Sequence, residues 1–181
     1  TVAATYAVAE VGAVSGLAYD GEHLWLGEFA GTTLRRFHPA TGTVTATYTA
    51  PQNIGPMVFD GTHLWTGHAS TGAVSKFRAS DGTLIGTYPS GLPNLTAMVF
   101  DGAALWIARS AVVKMDPATG TVLATTALPG VGVAFGFCAD GRSIWVPYDS
   151  IPAKLFRINP ANAAITGEFT AAPTRTEPMG C

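Results

Sequence analysis

The chain has 181 residues, of which 48% are hydrophobic and 12% are charged, and its ten Lys and Arg residues against twelve Asp and Glu residues give a net charge of −2. This composition supports a packed core and excludes a disordered chain, and without a basic excess we expect no nucleic acid partner. Every apolar run is far shorter than the roughly 20 residues of a membrane-spanning helix, so no membrane span is predicted.

The first segment of the chain has a pattern that returns later. Residues 1–6, TVAATY, match residues 43–48, TVTATY, and predict a strand of the type that ends each repeat unit. The chain opens without an initiator Met, as a mature exported protein does, and it holds little Lys and Glu but much Thr, Ala and Gly. We therefore expect an extracellular or cell-surface protein.

The phrase Asp-Gly-x-x-(Leu or Ile)-Trp occurs four times. An Asp-Gly pair between apolar runs favours a tight hairpin because Gly accepts positive φ, and a period of about 40 residues is typical of β-propeller blades. We expect the repeated indoles to have a structural role between adjacent blades, and the repeated carboxylates to accept turn N–H groups rather than bind metal. The four tryptophans are Trp25, Trp65, Trp106 and Trp145.

Two further strands follow in each unit. The third strand carries a basic residue and leads into a polar turn such as residues 116–120, DPATG, after which a fourth strand is predicted. We expect the basic stems to pack between blades and their heads to reach water or a neighbouring carbonyl, with an anionic ligand as the alternative. The basic residues are Arg36, Lys76, Lys114 and Arg157.

These patterns predict an all-β fold and a single domain over residues 1–181. We interpret it as a β-propeller, or part of one, built of about four 40-residue, four-stranded antiparallel blades. An extra fourth-type strand precedes them, and residues 177–181 predict an extra first-type strand after them. The predicted blades are residues 16–49, 56–89, 97–127 and 134–170.

The two ends leave a first-type and a fourth-type strand without a middle pair. The chain is then part of a larger propeller, or associates with copies of itself through open blade faces and edges, or closes four blades with short extensions. Because unpaired edges and exposed faces promote association, we expect assembly with further blades, from another copy or from a missing segment.

The cysteines and the sequon offer further candidate sites. Cys138 and Cys181 fall at nearly equivalent positions of first-type strands. A disulfide between them is open, as is an interchain bond at Cys181, but inner strands of different blades are usually more than about 7 Å apart, which favours a free Cys138. Asn94 begins the sequence Asn-Leu-Thr, a glycosylation sequon in a predicted loop. No Cys-x-x-Cys pair or Cys/His cluster indicates zinc.

Residues 59–65, FDGTHLW, and 114–122, KMDPATGTV, resemble the bacterial YVTN and virginiamycin-B-lyase-like propeller repeats. That superfamily includes lyases, lactone hydrolases and surface proteins, and its closed members usually have six or seven blades. Its lyases place His and Glu residues with a magnesium ion at the axial end of the ring. Glu28 is the nearest match to the lyase phrase Leu-Trp-Phe-Thr-Glu, but the equivalent residues in later units are not carboxylates.

Four polar residues that differ between units occupy one repeated position, three residues after each Trp. Loops and strand ends carry function on a propeller frame, so these residues are candidate ligand contacts, with solvated strand ends as the alternative. They are Glu28, His68, Arg109 and Tyr148. His23 and His63, which lie in the hairpins before Leu-Trp, are expected to be exposed turn residues.

The sequence therefore favours a non-enzymatic, exported propeller that serves as a scaffold or interaction module and assembles with further blades, mainly as a homo-oligomer. We predict no catalytic residue, no metal and no cofactor. One alternative is a metal-dependent lyase-like or hydrolase-like enzyme that uses Glu28 and His68. Another is a propeller that binds glycans in pockets between blades.

Overall fold

The computed structural model describes residues 13–170, and within them the chain folds entirely as β-structure. The predicted extra strands at residues 1–6 and 177–181, and with them Cys181, lie outside the described residues. No helix in the described part is long and apolar enough to cross a membrane. The strands are β1 Val14–Tyr19, β2 Leu24–Glu28, β3 Thr33–His38, β4 Thr43–Thr49, β5 Met57–Phe59, β6 His63–Gly67, β7 Ala73–Arg78, β8 Leu84–Pro89, β9 Ala97–Phe100, β10 Leu105–Ala108, β11 Ala111–Met115, β12 Val122–Ala127, β13 Gly132–Ala134, β14 Cys138–Ala139, β15 Ile144–Ser150, β16 Lys154–Ile158 and β17 Ile165–Thr170.

The strands form four antiparallel sheets, each a meander in chain order. Sheet 1 contains β1–β4, sheet 2 contains β5–β8 and sheet 3 contains β9–β12. In sheet 4 the first position is divided between β13 and β14, which both pair with β15, and β16 and β17 follow. Four four-stranded units of this kind confirm the predicted all-β, four-bladed propeller class.

The repeated Asp-Gly phrase builds the first hairpin of each sheet. In sheet 2, Oδ1 of Asp60 accepts the N–H groups of Thr62 and His63 at 2.9 and 2.7 Å, and Gly61 turns the chain at φ 95°. The other carboxylate oxygen accepts the indole N–H of Trp65 at 2.8 Å. Burial opposes ionisation of Asp60, but these hydrogen bonds outweigh it and lower the pKa of the carboxyl.

The same Asp–Trp hydrogen bond occurs in every sheet, at 2.7 Å in sheets 1 and 3 and at 2.8 Å in sheet 4. It satisfies the indole N–H while the ring packs against apolar neighbours, which a buried Trp requires. Trp25, Trp65 and Trp106 are completely buried, whereas Trp145 is partly exposed.

The sheets stack in order, and the core lies between them. One cluster joins Trp25 of sheet 1 to Leu64 and Phe77 of sheet 2, and the next two clusters join sheet 2 to sheet 3 and sheet 3 to sheet 4. The first strands also touch in succession, β1 with β5, β5 with β9 and β9 with β14. A stack of this kind leaves one face of sheet 1 and one face of sheet 4 without a neighbouring sheet among the described residues.

Candidate functional site

Three of the four predicted ligand positions hydrogen-bond to the backbone of a loop that leads into their own sheet. His68 and Arg109 lie just after the second strand of their sheets and Tyr148 lies near the end of β15, at the end where the chain enters the first strand. Each side chain donates to a carbonyl oxygen at a similar distance along the chain. The pairs are His68 with Asn53 at 2.9 Å, Arg109 with Asn94 at 2.8 Å and Tyr148 with Gly130 at 3.3 Å. Each of these three side chains is therefore hydrogen-bonded to the loop before its own sheet.

His68 is the most enclosed member of this set. Its ring is completely buried: Nδ1 donates to the Asn53 carbonyl, and Nε2 accepts the hydroxyl of Ser75 at 2.7 Å. The Ser75 oxygen lies 2.8 Å from Oγ1 of Thr87, which extends the network to β8. Burial lowers the pKa of His68 because a charged ring would lose its hydration. The hydrogen bonds fit a neutral imidazole.

This burial predicts a pH-dependent stability. The folded protein resists protonation of His68 while the unfolded chain binds a proton near pH 6.5, so the stabilisation is complete above about pH 6.5 and declines as the pH falls below it. The variant His68→Gln is expected to flatten this slope in urea unfolding series between about pH 7.5 and 5. Tyr148→Phe also removes a loop hydrogen bond but no imidazole, so it should keep the wild-type slope. An unchanged slope in His68→Gln would contradict the assignment.

Glu28 has a different environment from the other three. It ends β2, is partly exposed, and its carboxyl group packs beside Gly31 in the following turn. Within residues 13–170, no three His, Cys, Asp or Glu side chains are grouped as metal ligands. Ligand binding at Glu28, His68, Arg109 and Tyr148 stays a prediction.

The candidate modification sites lie in different surroundings. Cys138 is a partly buried free thiol in β14. Asn94 is exposed at φ 55°, and the Thr96 hydroxyl of its sequon donates to the carbonyl groups of Ala108, at 3.1 Å, and Ala134. A sugar on Asn94 would project from the loop before sheet 3, and glycosylation stays a prediction.

A groove of about 600 Å³ between the hairpins of sheets 1 and 2 was missed from the sequence. His23 and His63 line it, but their side chains are only 13% and 23% exposed, so the expectation of exposed turn residues was wrong. Each Nδ1 faces the Asp of its own hairpin, at 3.8 Å for Asp20 and 3.4 Å for Asp60. The ring of His23 also packs edge-on against that of His38 in the same sheet, with the ring centroids 5.4 Å apart.

A second cavity, of about 220 Å³, is bordered by the first-strand regions of all four sheets. Sheet 1 contributes Ser15 and Leu17, sheet 2 contributes Met57, sheet 3 contributes Thr96 and sheet 4 contributes Phe135. This arrangement directs the first strands towards a common centre. The remaining strands of each sheet then extend outward, as in propeller blades.

The basic side chains of the third strands join each sheet to the next. In sheets 1–3 the basic head lies 5.1–6.0 Å from the centroid of the Trp ring in its own sheet, within the range of a cation–π contact. It then donates to a carbonyl in the turn between the third and fourth strands of the following sheet. The pairs are Arg36 with Ser80 at 3.1 Å, Lys76 with Pro117 at 2.6 Å and Lys114 with Pro160 at 2.6 Å.

The fourth strands contact the same turns. The ring of Tyr88 lies so close to Gly120 that a Cβ there would come within 2.1 Å of it, and Tyr48 is placed in the same way over Gly82. In sheet 3 the equivalent residue is Thr126, whose hydroxyl donates to the Ala163 carbonyl at 2.6 Å. We call the indole, basic head and fourth-strand residue of one sheet, packed on the turn of the next, the interblade contact.

In sheet 4 this set of side chains has no following sheet among the described residues. Arg157 donates to Thr166 of its own sheet, and Phe169 is 49% exposed. Leu155 is 37% exposed, although Leu34, Val74 and Val112 at the same position of the other sheets are completely buried. Trp145, Leu155, Arg157 and Phe169 form the sheet-4 face.

Sheet 1 exposes apolar side chains on the side that faces away from sheet 2. Leu17 and Tyr19 are 58% and 55% exposed, whereas Met57, which takes the position of Leu17 in sheet 2, is 8% exposed because sheet 1 covers it. The turn at residues 38–42 corresponds in the repeat to the turns that receive the basic heads in sheets 2–4. Leu17, Tyr19 and this turn form the sheet-1 face.

Comparison with known proteins gives the fold alone. No protein-family model matches the chain, and no curated protein matches it. The chain is similar to Kuenenia stuttgartiensis hydrazine synthase, with a TM-score of 0.79 and 14% identity over 94% of this chain and 53% of that one. It is also similar to the computationally designed Ika4 protein, with a TM-score of 0.69 and 14% identity over 86% of this chain and 96% of that one. It thus spans about half of the hydrazine synthase chain.

Proposed function

We propose that this chain is a non-enzymatic β-propeller scaffold or interaction module, exported from the cell, that assembles with further blades through self-association. The observation that carries the proposal is the partial exposure of Trp145 in sheet 4. The other three indoles are completely buried, although all four have the same Asp partner. An apolar surface that a neighbour covers in every equivalent position supports a protein interface at the position where it is open.

The predicted ligand positions support the same function. Arg109 and Tyr148 are engaged with loop carbonyls, and the imidazole of His68 has both nitrogens occupied. Side chains committed to the frame have little capacity left to act as acids, bases or ligands, because catalysis needs a group within reach of a substrate. Among the described residues, the apolar faces at the ends of the stack are therefore the surfaces that we assign to recognition of a protein.

The mass in solution tests self-association. For a chain of 18.7 kDa, we expect sedimentation velocity at micromolar concentration to give at least twice that mass, and the value to fall on dilution. The reason is that the sheet-4 and sheet-1 faces together expose four large apolar side chains besides Trp145, at 37–58%. A mass of 18.7 kDa that does not change up to about 1 mM, where even weak association is visible, would contradict the proposal.

A further inference from the structure

Building on the self-association proposed above, we propose that copies of this chain join head to tail. The sheet-4 face of one copy docks on the sheet-1 face of the next copy and repeats the interblade contact. The occupant of each open face is therefore a second copy of the same chain, presented through its opposite end.

The interblade contact has a donor side and an acceptor side. In all three internal cases the earlier sheet provides the indole and the basic head, and the later sheet provides the turn carbonyl. The later sheet also inserts an apolar first-strand side chain: a Cβ at Gly27 would come within 2.8 Å of the Met57 sulfur, and one at Gly67 within 2.9 Å of the Met98 sulfur. Because the two sides differ, two copies of one face would not satisfy each other.

The indole and the fourth-strand ring of sheet 4 already have the arrangement that they have in the internal contacts, whereas Arg157 donates to Thr166 of its own sheet and has to turn towards the next copy. The Trp145 indole donates to Asp140, as in the other sheets, and its ring lies 5.9 Å from that of Phe169. The corresponding distances are 5.6 Å for Trp25 and Tyr48 and 5.9 Å for Trp65 and Tyr88. Because these two rings need no rearrangement, ordering them on binding costs little conformational entropy.

Sheet 1 holds the acceptor side in the same geometry as the later sheets. In its turn, the N–H of Gly42 donates to the His38 carbonyl at 2.9 Å, and Gly42 has φ 69°. The equivalent turn in sheet 3 has a Gly120 bond of 2.8 Å and φ 72°. The backbone that presents a carbonyl to Lys76 from sheet 3 is therefore reproduced at residues 38–42. Leu17 provides the apolar side chain that Met57 provides in sheet 2.

A head-to-tail interface is heterologous, so one copy uses both faces at once, and the assembly closes into a ring or extends as a filament. This property distinguishes it from a symmetric dimer, in which the same face of both copies meets. A head-to-tail interface between chains also differs from a closed ring in which the two faces of one chain meet each other. Two variants with opposite faces blocked make the distinction directly.

The test is a complementation experiment with full-length chains. Leu155→Glu with Phe169→Glu blocks the sheet-4 face, and Leu17→Glu with Tyr19→Glu blocks the sheet-1 face. All four side chains are at least 37% exposed in the single chain, so the substitutions leave its core intact. Each variant alone is expected to sediment at 18.7 kDa. An equimolar mixture should give twice that mass and stop there, because both outer faces of the pair are blocked.

Val131→Glu is the matched control, since Val131 is 96% exposed but belongs to neither face, and it should assemble as the wild type does. If the wild type assembles but either blocked variant still assembles alone, or their mixture stays at the mass of one chain, the head-to-tail interface is wrong while self-association stands. If the wild type itself has the mass of one chain at every concentration, self-association fails as well. Circular dichroism of each variant checks that the β-structure is unchanged.

Discussion

Replacing Trp106 with Ala is expected to lower the free energy of unfolding by about 3–5 kcal/mol. The indole is completely buried between sheets 3 and 4, where it packs in the cluster that contains Ile144 and Ile158. Lys114 lies 5.6 Å from the ring centroid, so the substitution also removes a cation–π contact. Urea unfolding followed by circular dichroism measures the loss.

Trp145→Ala is the matched control for this prediction. It removes the same type of side chain, whose indole N–H also donates to an Asp five residues earlier. The ring of Trp145 is partly exposed, so the substitution returns less apolar surface to water. At a concentration low enough to keep the chain monomeric, the loss of stability should be clearly smaller than for Trp106→Ala. Equal losses would show that burial between sheets is not the main contribution of the repeated Trp.

The architecture could be predicted from the sequence because each hairpin is specified locally. The Asp-Gly pair fixes the first turn of a sheet, and an apolar meander of this length has to pack on a neighbour. The structure confirms the resulting all-β, four-bladed class. The division of the first position of sheet 4 into β13 and β14 was not predicted, because the apolar run around Phe135 was taken as one strand and the break that Gly136 can mark was overlooked.

The second bond of the repeated Asp was also missed. The carboxylates were expected to accept turn N–H groups, and they do, but each also accepts the indole N–H five residues later. A signal was available in the sequence, since every Trp of the chain has an Asp at that distance. A carboxylate has two acceptor oxygens. The expected bonds from turn N–H groups use one of them, and the sequence analysis assigned no donor to the other.

The hydrogen bonds of the candidate ligand positions could not be predicted from the variation of these residues between repeat units. A position that changes between His68, Arg109 and Tyr148 predicts contacts with a ligand, which stays a prediction, but the sequence did not show that all three side chains donate to loop carbonyls. The loops that lead into the sheets differ in sequence and path, so a different side chain reaches each carbonyl. Loop paths depend on tertiary packing, and the repeat pattern does not contain them.

The open faces were anticipated only in general terms. The mismatched ends predicted assembly, but the direction of the interblade contact depends on which sheet supplies the basic head and which supplies the carbonyl. Lys76 and Lys114 define that direction through Pro117 and Pro160, which lie 41 and 46 residues further along the chain. A sequence places the basic residue on its own strand and does not show which turn it reaches.

Replacing Asp101 with Ala is expected to lower the free energy of unfolding by about 3 kcal/mol. Hydrogen bonds to a charged group contribute strongly to stability, and the N–H groups that donate to this carboxylate lose their partner in the variant. Burial opposes ionisation of Asp101, yet the hydrogen bonds from Ala104, Trp106 and Ala103 hold its pKa below the usual 3.8. The stabilisation is therefore complete above that pH and is lost as the pH falls through the lower folded-state pKa, so the difference between variant and wild type should shrink in acid.

Asp140→Ala removes the same contacts beside a partly exposed indole, where water replaces the carboxylate, and should cost less in urea unfolding. A loss at Asp140 as large as that at Asp101 would contradict the view that the bond matters because its indole is buried.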